Sequence, residues 1–170
     1  RTGTHHLERP HDEAVQVQVQ KLKVTGSQEA RLNRALDAWF ASPQAQELCE
    51  HDGLEAEVPF MVQLPRSDEE PLYLEGEIDA LATTGDVAFF VDYKTGGSEQ
   101  ETAEQIRAKH ELQAQCYAYA LLRSGYRTVK ATFVRVERVT SDGHPQTATY
   151  GFSATDMPAL EQAILDHWSS

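Results

Sequence analysis

The stretch Val87-Ala88-Phe89-Phe90-Val91-Asp92-Tyr93-Lys94-Thr95 decides how this chain is read. Near-continuous apolarity up to Val91 suits a central strand covered on both faces. Asp92 and Lys94 then end it, although both residue types disfavour strand interiors. A strand rises about 3.3 Å per residue, so positions two apart share a face at ~6.6 Å. The two charges therefore lie beside each other and point the same way. Taken alone, they also fit a buried ion pair or a charged strand end entering solvent.

Reading toward the N-terminus, Gly85-Asp86 marks a turn, and a second strand runs from Leu72 to Thr83. Arg66 to Pro71 is an acidic turn. Before it, Leu54, Ala56, Val58, Phe60, Val62 and Leu64 alternate with Glu55, Glu57, Met61 and Gln63, the period of a strand with one buried face. Regular alternation puts Asp79, on the second strand, on the opposite face from Ile78. A hairpin through Thr84-Gly85-Asp86 brings Asp79 within a residue or two of facing Asp92. Two carboxylates on neighbouring strands repel unless a cation or a proton lies between them. A divalent cation is the economical solution, and oxygen-only ligands suit Mg²⁺ or Mn²⁺ better than a structural zinc. A lysine beside such an ion can position a water or an anionic group and stabilise developing charge.

Toward the C-terminus, Thr95-Gly96-Gly97-Ser98 breaks the strand. A long helix follows from Glu101 to Ser124, with Gly125 at its C-cap. Gln113 and Tyr117 are four apart and share one face of it. Tyr117 also reads as core, because Leu112, Cys116, Tyr119 and Ala120 are apolar neighbours. Val129 to Arg138 is a strand, Ser141-Asp142-Gly143 a turn, and Thr147 to Phe152 its hairpin partner. Ser153 or Thr155 caps a last helix bearing Leu160, Ile164 and Trp168.

Ahead of the strands, Ser27 opens a helix with an apolar stripe of Leu32, Ala35, Leu36, Trp39 and Phe40. Ser42-Pro43 starts a second, short helix. Residues 1–26 are poorly defined: Val15, Val17 and Val19 alternate like a strand, whereas Val15, Val19 and Leu22 fit the helix favoured here. The expected architecture is α/β, in one domain over residues 1–170. Its core is a helix, a three-stranded antiparallel meander, a second helix and a parallel strand reached by a right-handed crossover, with a hairpin strand and a C-terminal helix added.

The chain has 170 residues and a net charge of −12. Between His51 and Glu104 there are fourteen acidic residues and two basic ones, Arg66 and Lys94, whereas the remainder is balanced. A solvated acidic face accounts for some of this, and a clustered negative field can hold divalent cations. It argues against strong, independent binding to a polyanion. No apolar run approaches ~18 residues, so no membrane partner is expected. Arg1 to Leu7 lack a signal-peptide core, and two cysteines, Cys49 and Cys116, make no disulfide framework. A reduced, cytoplasmic setting is the expectation.

The motifs Gly76-Glu77-Ile78-Asp79, Asp92-Tyr93-Lys94-Thr95 and Gln113-Ala114-Gln115-Cys116-Tyr117 occur in this order on a strand, a strand and a helix. Together with Glu57-Val58-Pro59-Phe60 they resemble the PD-(D/E)XK nuclease superfamily, and within it the RecB-like branch at the C-termini of helicase-nucleases of the AddA type. The likeness covers roughly Leu54 to Ser124 well and the rest weakly. It implies a restriction-endonuclease-like core and metal-dependent hydrolysis of DNA, by an exonuclease rather than an endonuclease. It implies Mg²⁺ or Mn²⁺ held by Asp79, Asp92 and the main-chain carbonyl of Tyr93, with Lys94 catalytic, Gln113 holding the geometry and Tyr117 touching DNA. Glu57 would add a supporting or second-metal carboxylate. Relatives carry a metal-ligating histidine in an N-terminal Gly-Thr-x-x-His context. Gly3-Thr4-His5-His6 is a compressed version of it, which assigns His6, with His5 as the alternative. Some relatives hold an iron–sulfur cluster on four cysteines, which two cysteines cannot do. The likeness further implies a fragment of a larger repair helicase-nuclease, with DNA delivered by helicase domains of a partner subunit or of the same chain. The rival reading is a nuclease-like module that binds DNA or protein partners without cutting.

Overall fold

The computed structural model describes residues 26–94, 100–140 and 143–169. His5, His6 and the helix expected before residue 26 lie outside the described residues. Helix α1 (Gly26–Phe40) and helix α2 (Pro43–Cys49) come first. Pro43 opens α2, and the hydroxyl of its N-cap Ser42 accepts a hydrogen bond from the Ala45 N–H, which satisfies one of the donors every helix start leaves over. Strands β1 (Gly53–Leu64), β2 (Leu72–Thr84) and β3 (Val87–Lys94) follow. Helix α3 (Ala103–Arg123) then leads to β4 (Thr128–Val139) and β5 (Pro145–Ser153). A 3₁₀ turn (Ala154–Asp156) and helix α4 (Met157–Ser169) close the chain.

The five strands form one sheet in sequence order. β1–β2 and β2–β3 are antiparallel, β3–β4 is parallel, and β4–β5 is antiparallel. The meander, crossover helix and parallel strand are therefore as expected. The β2–β3 turn is tight because Gly85 takes φ +57°, a conformation open to glycine without steric cost. The crossover helix α3 starts at a capping box, in which Thr102 and Gln105 satisfy each other's backbone N–H. It ends before Gly125, at φ +112°.

Side-chain alternation on β3 sorts the core into two layers. Ala88 and Phe90 face a large cluster under α3 and α4 with Tyr119, Phe133, Leu160 and Ile164. Phe89 and Val91 face a smaller one with Trp39, Ala45 and Leu48 of α1 and α2. β3 is thus buried on both faces, as its composition requires.

One expectation changes. The alternation read along β1 does not keep one face. Val58, Phe60, Val62 and Leu64 pack on the α3 side, whereas Leu54 packs with Trp39 on the other, and Ala56 is exposed. β2 changes phase at the same rung: Leu74 and Ile78 face α3, but so does Leu81, while Ala80 and Ala82 face α1. The change lies between the pairs Ala56↔Ala80 and Val58↔Ile78, where Glu57 stands opposite Asp79. Glu57 has φ +53°, the one positive φ among the described non-glycine residues. Such a backbone costs a residue with a Cβ on the order of 1–3 kcal/mol.

Candidate active site

The β2–β3 ladder runs from Thr84↔Val87 to Ala80↔Val91 and stops. β3 continues for three more residues, paired only to β4, from Asp92↔Phe133 to Lys94↔Arg135. Asp79 and Asp92 occupy the rung immediately past the stop. A backbone N–H left at the end of a ladder needs an acceptor, and Asp79 supplies it: the Tyr93 N–H donates to Asp79 Oδ2 at 2.8 Å. The Asp79 carboxylate therefore reaches across the gap between the strands rather than standing on the face opposite Ile78, as regular alternation would place it. The phase change at Glu57 and Asp79 is what allows this.

Asp92 is 4% exposed. Its Oδ2 lies 2.8 Å from Lys94 Nζ and accepts from Gln113 Nε2 at 3.4 Å. The expected side-by-side placement of Asp92 and Lys94 is thus observed. Burial raises the Asp92 carboxyl to about 7, against the opposing pull of Lys94 and with the help of the Asp79 charge beside it. An acid so placed needs a positive partner or a proton. Lys94 supplies part of that charge, and its own ammonium also lies 5.7 Å from the Phe133 ring centroid.

Helix α3 supplies the opposite wall. Gln113 Nε2 donates to Tyr117 Oη at 3.0 Å. The Tyr117 ring is half-buried, with centroids 4.8 Å from Phe60 and 5.7 Å from Phe90. The Tyr117 ring is therefore core, and its hydroxyl belongs to the Asp92–Gln113 network. Gly76 explains why this strand motif begins with glycine. A Cβ there would sit 2.9 Å from Phe60 and 3.3 Å from Tyr117.

Glu57 is exposed on the rung of Asp79. Among the described residues, no group of three or more His, Cys, Asp or Glu is placed to hold a metal ion. Asp79 and Asp92 bring two carboxylates, oxygen donors only, to this point. Such donors fit a hard divalent cation, and the raised Asp92 carboxyl is the kind of acid such a cation relieves.

Two features escaped the sequence reading. Tyr93 turns its phenol to the α1 side, where Trp39 Nε1 donates to Tyr93 Oη at 3.1 Å. Burial pushes that phenol up to about 12, so it stays protonated. This ties α1 to the residue whose backbone lies between Asp92 and Lys94. The second feature is His110, whose ring stacks on Phe133 with centroids 5.2 Å apart and planes 3° from parallel. Its only sequence signal was its spacing, three before Gln113.

No described helix is long and apolar enough to cross a membrane. A component of the ATP-dependent helicase/nuclease of Staphylococcus aureus strain JH9 is 31% identical over 87 residues, which covers 44% of this chain and 7% of that protein. Its counterpart from strain NCTC 8325 matches with the same figures. The chain thus spans about 7% of the length of these curated relatives. The solved structure described as "Crystal structure of SSO0001" covers 89% of this chain and 69% of its own at 13% identity, with a TM-score of 0.39. The family model of the PD-(D/E)XK nuclease superfamily matches residues 4–170, which takes in the whole sheet and both aspartates, and the chain belongs to that superfamily.

Proposed function

We propose that the chain hydrolyses phosphodiester bonds of DNA with a divalent cation, Mg²⁺ or Mn²⁺, held by Asp79, Asp92, the main-chain carbonyl of Tyr93 and His6. One observation carries this reading: two carboxylates from adjacent strands meet where their ladder ends, with a lysine on one of them. When bound, such a cation lowers the pKa of a coordinated water and neutralises charge on the phosphate.

The remaining work falls to the chain. Lys94 orients the attacking water and contacts the scissile phosphate, stabilising charge as it develops. Gln113 fixes the Asp92 carboxylate through one amide N–H and Tyr117 through another contact, so the helix and the strand keep one spacing. The Tyr117 hydroxyl faces the DNA strand. Glu57 supports Asp79 from the facing position on β1. The acidic balance of residues 51–104 leaves weak intrinsic affinity for DNA. The chain then works as the exonuclease module of a longer helicase-nuclease, which brings the strand to it. The relatives' length supports this division.

The test is degradation of single- and double-stranded DNA by the full-length protein with Mg²⁺ or Mn²⁺. Asp92→Ala should lower the rate by at least about 10³-fold, on the order of 4 kcal/mol of barrier. Cutting at the wild-type rate by that variant removes the site. Binding of DNA by a wild type that never cuts would instead favour the non-cutting module.

A further inference from the structure

Helix α3 and strand β3 cross the site in matched steps. Tyr117 packs against Phe90, with centroids 5.7 Å apart. One helical turn earlier, Gln113 reaches Asp92. One turn earlier again, His110 covers Phe133, the same ring over which the Lys94 ammonium lies. Residues 110, 113 and 117 share one helix face. Phe90, Asp92 and Lys94 share one strand face. The Gln-x-x-x-Tyr motif thus extends to His-x-x-Gln-x-x-x-Tyr, the first member over Phe133 of β4 and the other two against Asp92 and Phe90 of β3.

His110 is only half-buried, and among the described residues its ring nitrogens have no hydrogen-bond partner. A stacked, oriented and half-exposed imidazole can meet a ligand from solvent as well as fill space. The charges around it are Lys94, Lys109, Arg135 and Glu101. Lys109 and Arg135 each pair with Glu101, at 3.6 and 3.4 Å, and Lys94 pairs with Asp92. Among the described residues the charges that act on the ring are therefore mostly cationic. Burial first, and then Lys94, hold the imidazole pKa below its usual value. Near neutral pH the ring is therefore uncharged and keeps one N–H to donate.

We propose that His110 forms a phosphate subsite beside Lys94, in which the imidazole N–H donates to a non-bridging oxygen of the phosphodiester next to the one that Lys94 contacts and that is cut. This rests on the nuclease reading for its substrate, and it adds a residue that positions the strand. A hydrogen bond to a charged oxygen of this kind changes affinity about tenfold or more.

The test scans a single methylphosphonate, which removes one phosphate charge, along a DNA oligonucleotide. The full-length protein is used, with binding followed by fluorescence anisotropy without added divalent cation and cleavage followed with Mn²⁺. His110→Ala should raise Kd and KM about tenfold and change kcat less than twofold. His110→Gln, which keeps an N–H donor, should recover most of the loss, which a ring needed only for packing would not allow. At one position the methylphosphonate should weaken wild type about tenfold and His110→Ala no further. Unchanged Kd and KM in a folded His110→Ala, or penalties that add at every position, overturn the subsite. If Asp92→Ala still cuts while His110→Ala loses affinity at one phosphate, the subsite stands and the assignment of the cutting residues falls. The reverse result removes the subsite alone.

Discussion

The two halves of β3 follow different rules. Val87 to Val91 have hydrogen-bonded strands on both sides and apolar clusters on both faces. Asp92 to Lys94 have a strand on one side only, and a carboxylate, Asp79, stands in for the missing one. The first half is stabilised by burial and close packing. In the second, a buried acid sits beside another acid and is relieved only partly by a lysine. Apolar packing and buried charge are divided along eight residues, and the division falls where the β2 ladder stops.

The largest test of that contrast is Phe90→Ala. Phe90 is fully buried between Tyr117 and Phe133, and its loss leaves a cavity that costs about 3–5 kcal/mol of folding free energy. Urea titration reads it, and a loss below about 1 kcal/mol would show that the first half is not the packed one.

Asp92→Asn should do the opposite to stability. A native carboxyl raised to about 7 binds a proton that the unfolded chain has released above its ordinary pKa near 3.8. Native stability in metal-free buffer therefore falls as pH rises from about 4 to about 7, by a few kcal/mol at most, and levels off above. The asparagine variant lacks this slope and should melt above wild type at pH 8, while losing cleavage. Added Mn²⁺ should raise the wild-type Tm more at pH 8 than at pH 5 and leave the variant's nearly unmoved. Equal pH slopes for the two proteins would mean that Asp92 is not the strained group.

The smallest effect is at Glu57. Glycine adopts its φ of +53° without strain, so Glu57→Gly should gain about 0.5–1 kcal/mol by thermal melting. A loss of stability instead would mean that the Glu57 side chain holds the rung opposite Asp79, which sharpens its role in the site.

Much of this was legible in the chain. The Asp92–Lys94 pairing follows from a period of two, the Gln113–Tyr117 contact from a period near four, and the meander from Gly85 and the acidic turn before Leu72. The phase change at Glu57 and Asp79 was not legible. Alternation of apolar and polar residues looks unbroken through it, because Leu54 and Ala56 are apolar enough for either face. His110 and the Trp39–Tyr93 bond were hidden for another reason. Each joins residues far apart in sequence, and neither leaves a local pattern.

By itself, the sequence determined which segments are strands and helices, and which polar residues interrupt them, because periodicity and turn chemistry act over a few residues. Only the tertiary structure decided that Asp79 reaches into the gap beyond Val91, that Asp92 is buried enough for its carboxyl to be raised, and that His110 lies over the ring Lys94 also covers. These depend on where one ladder ends and how a helix crosses a sheet. Such distances are set by packing between elements, which no short stretch of residues encodes.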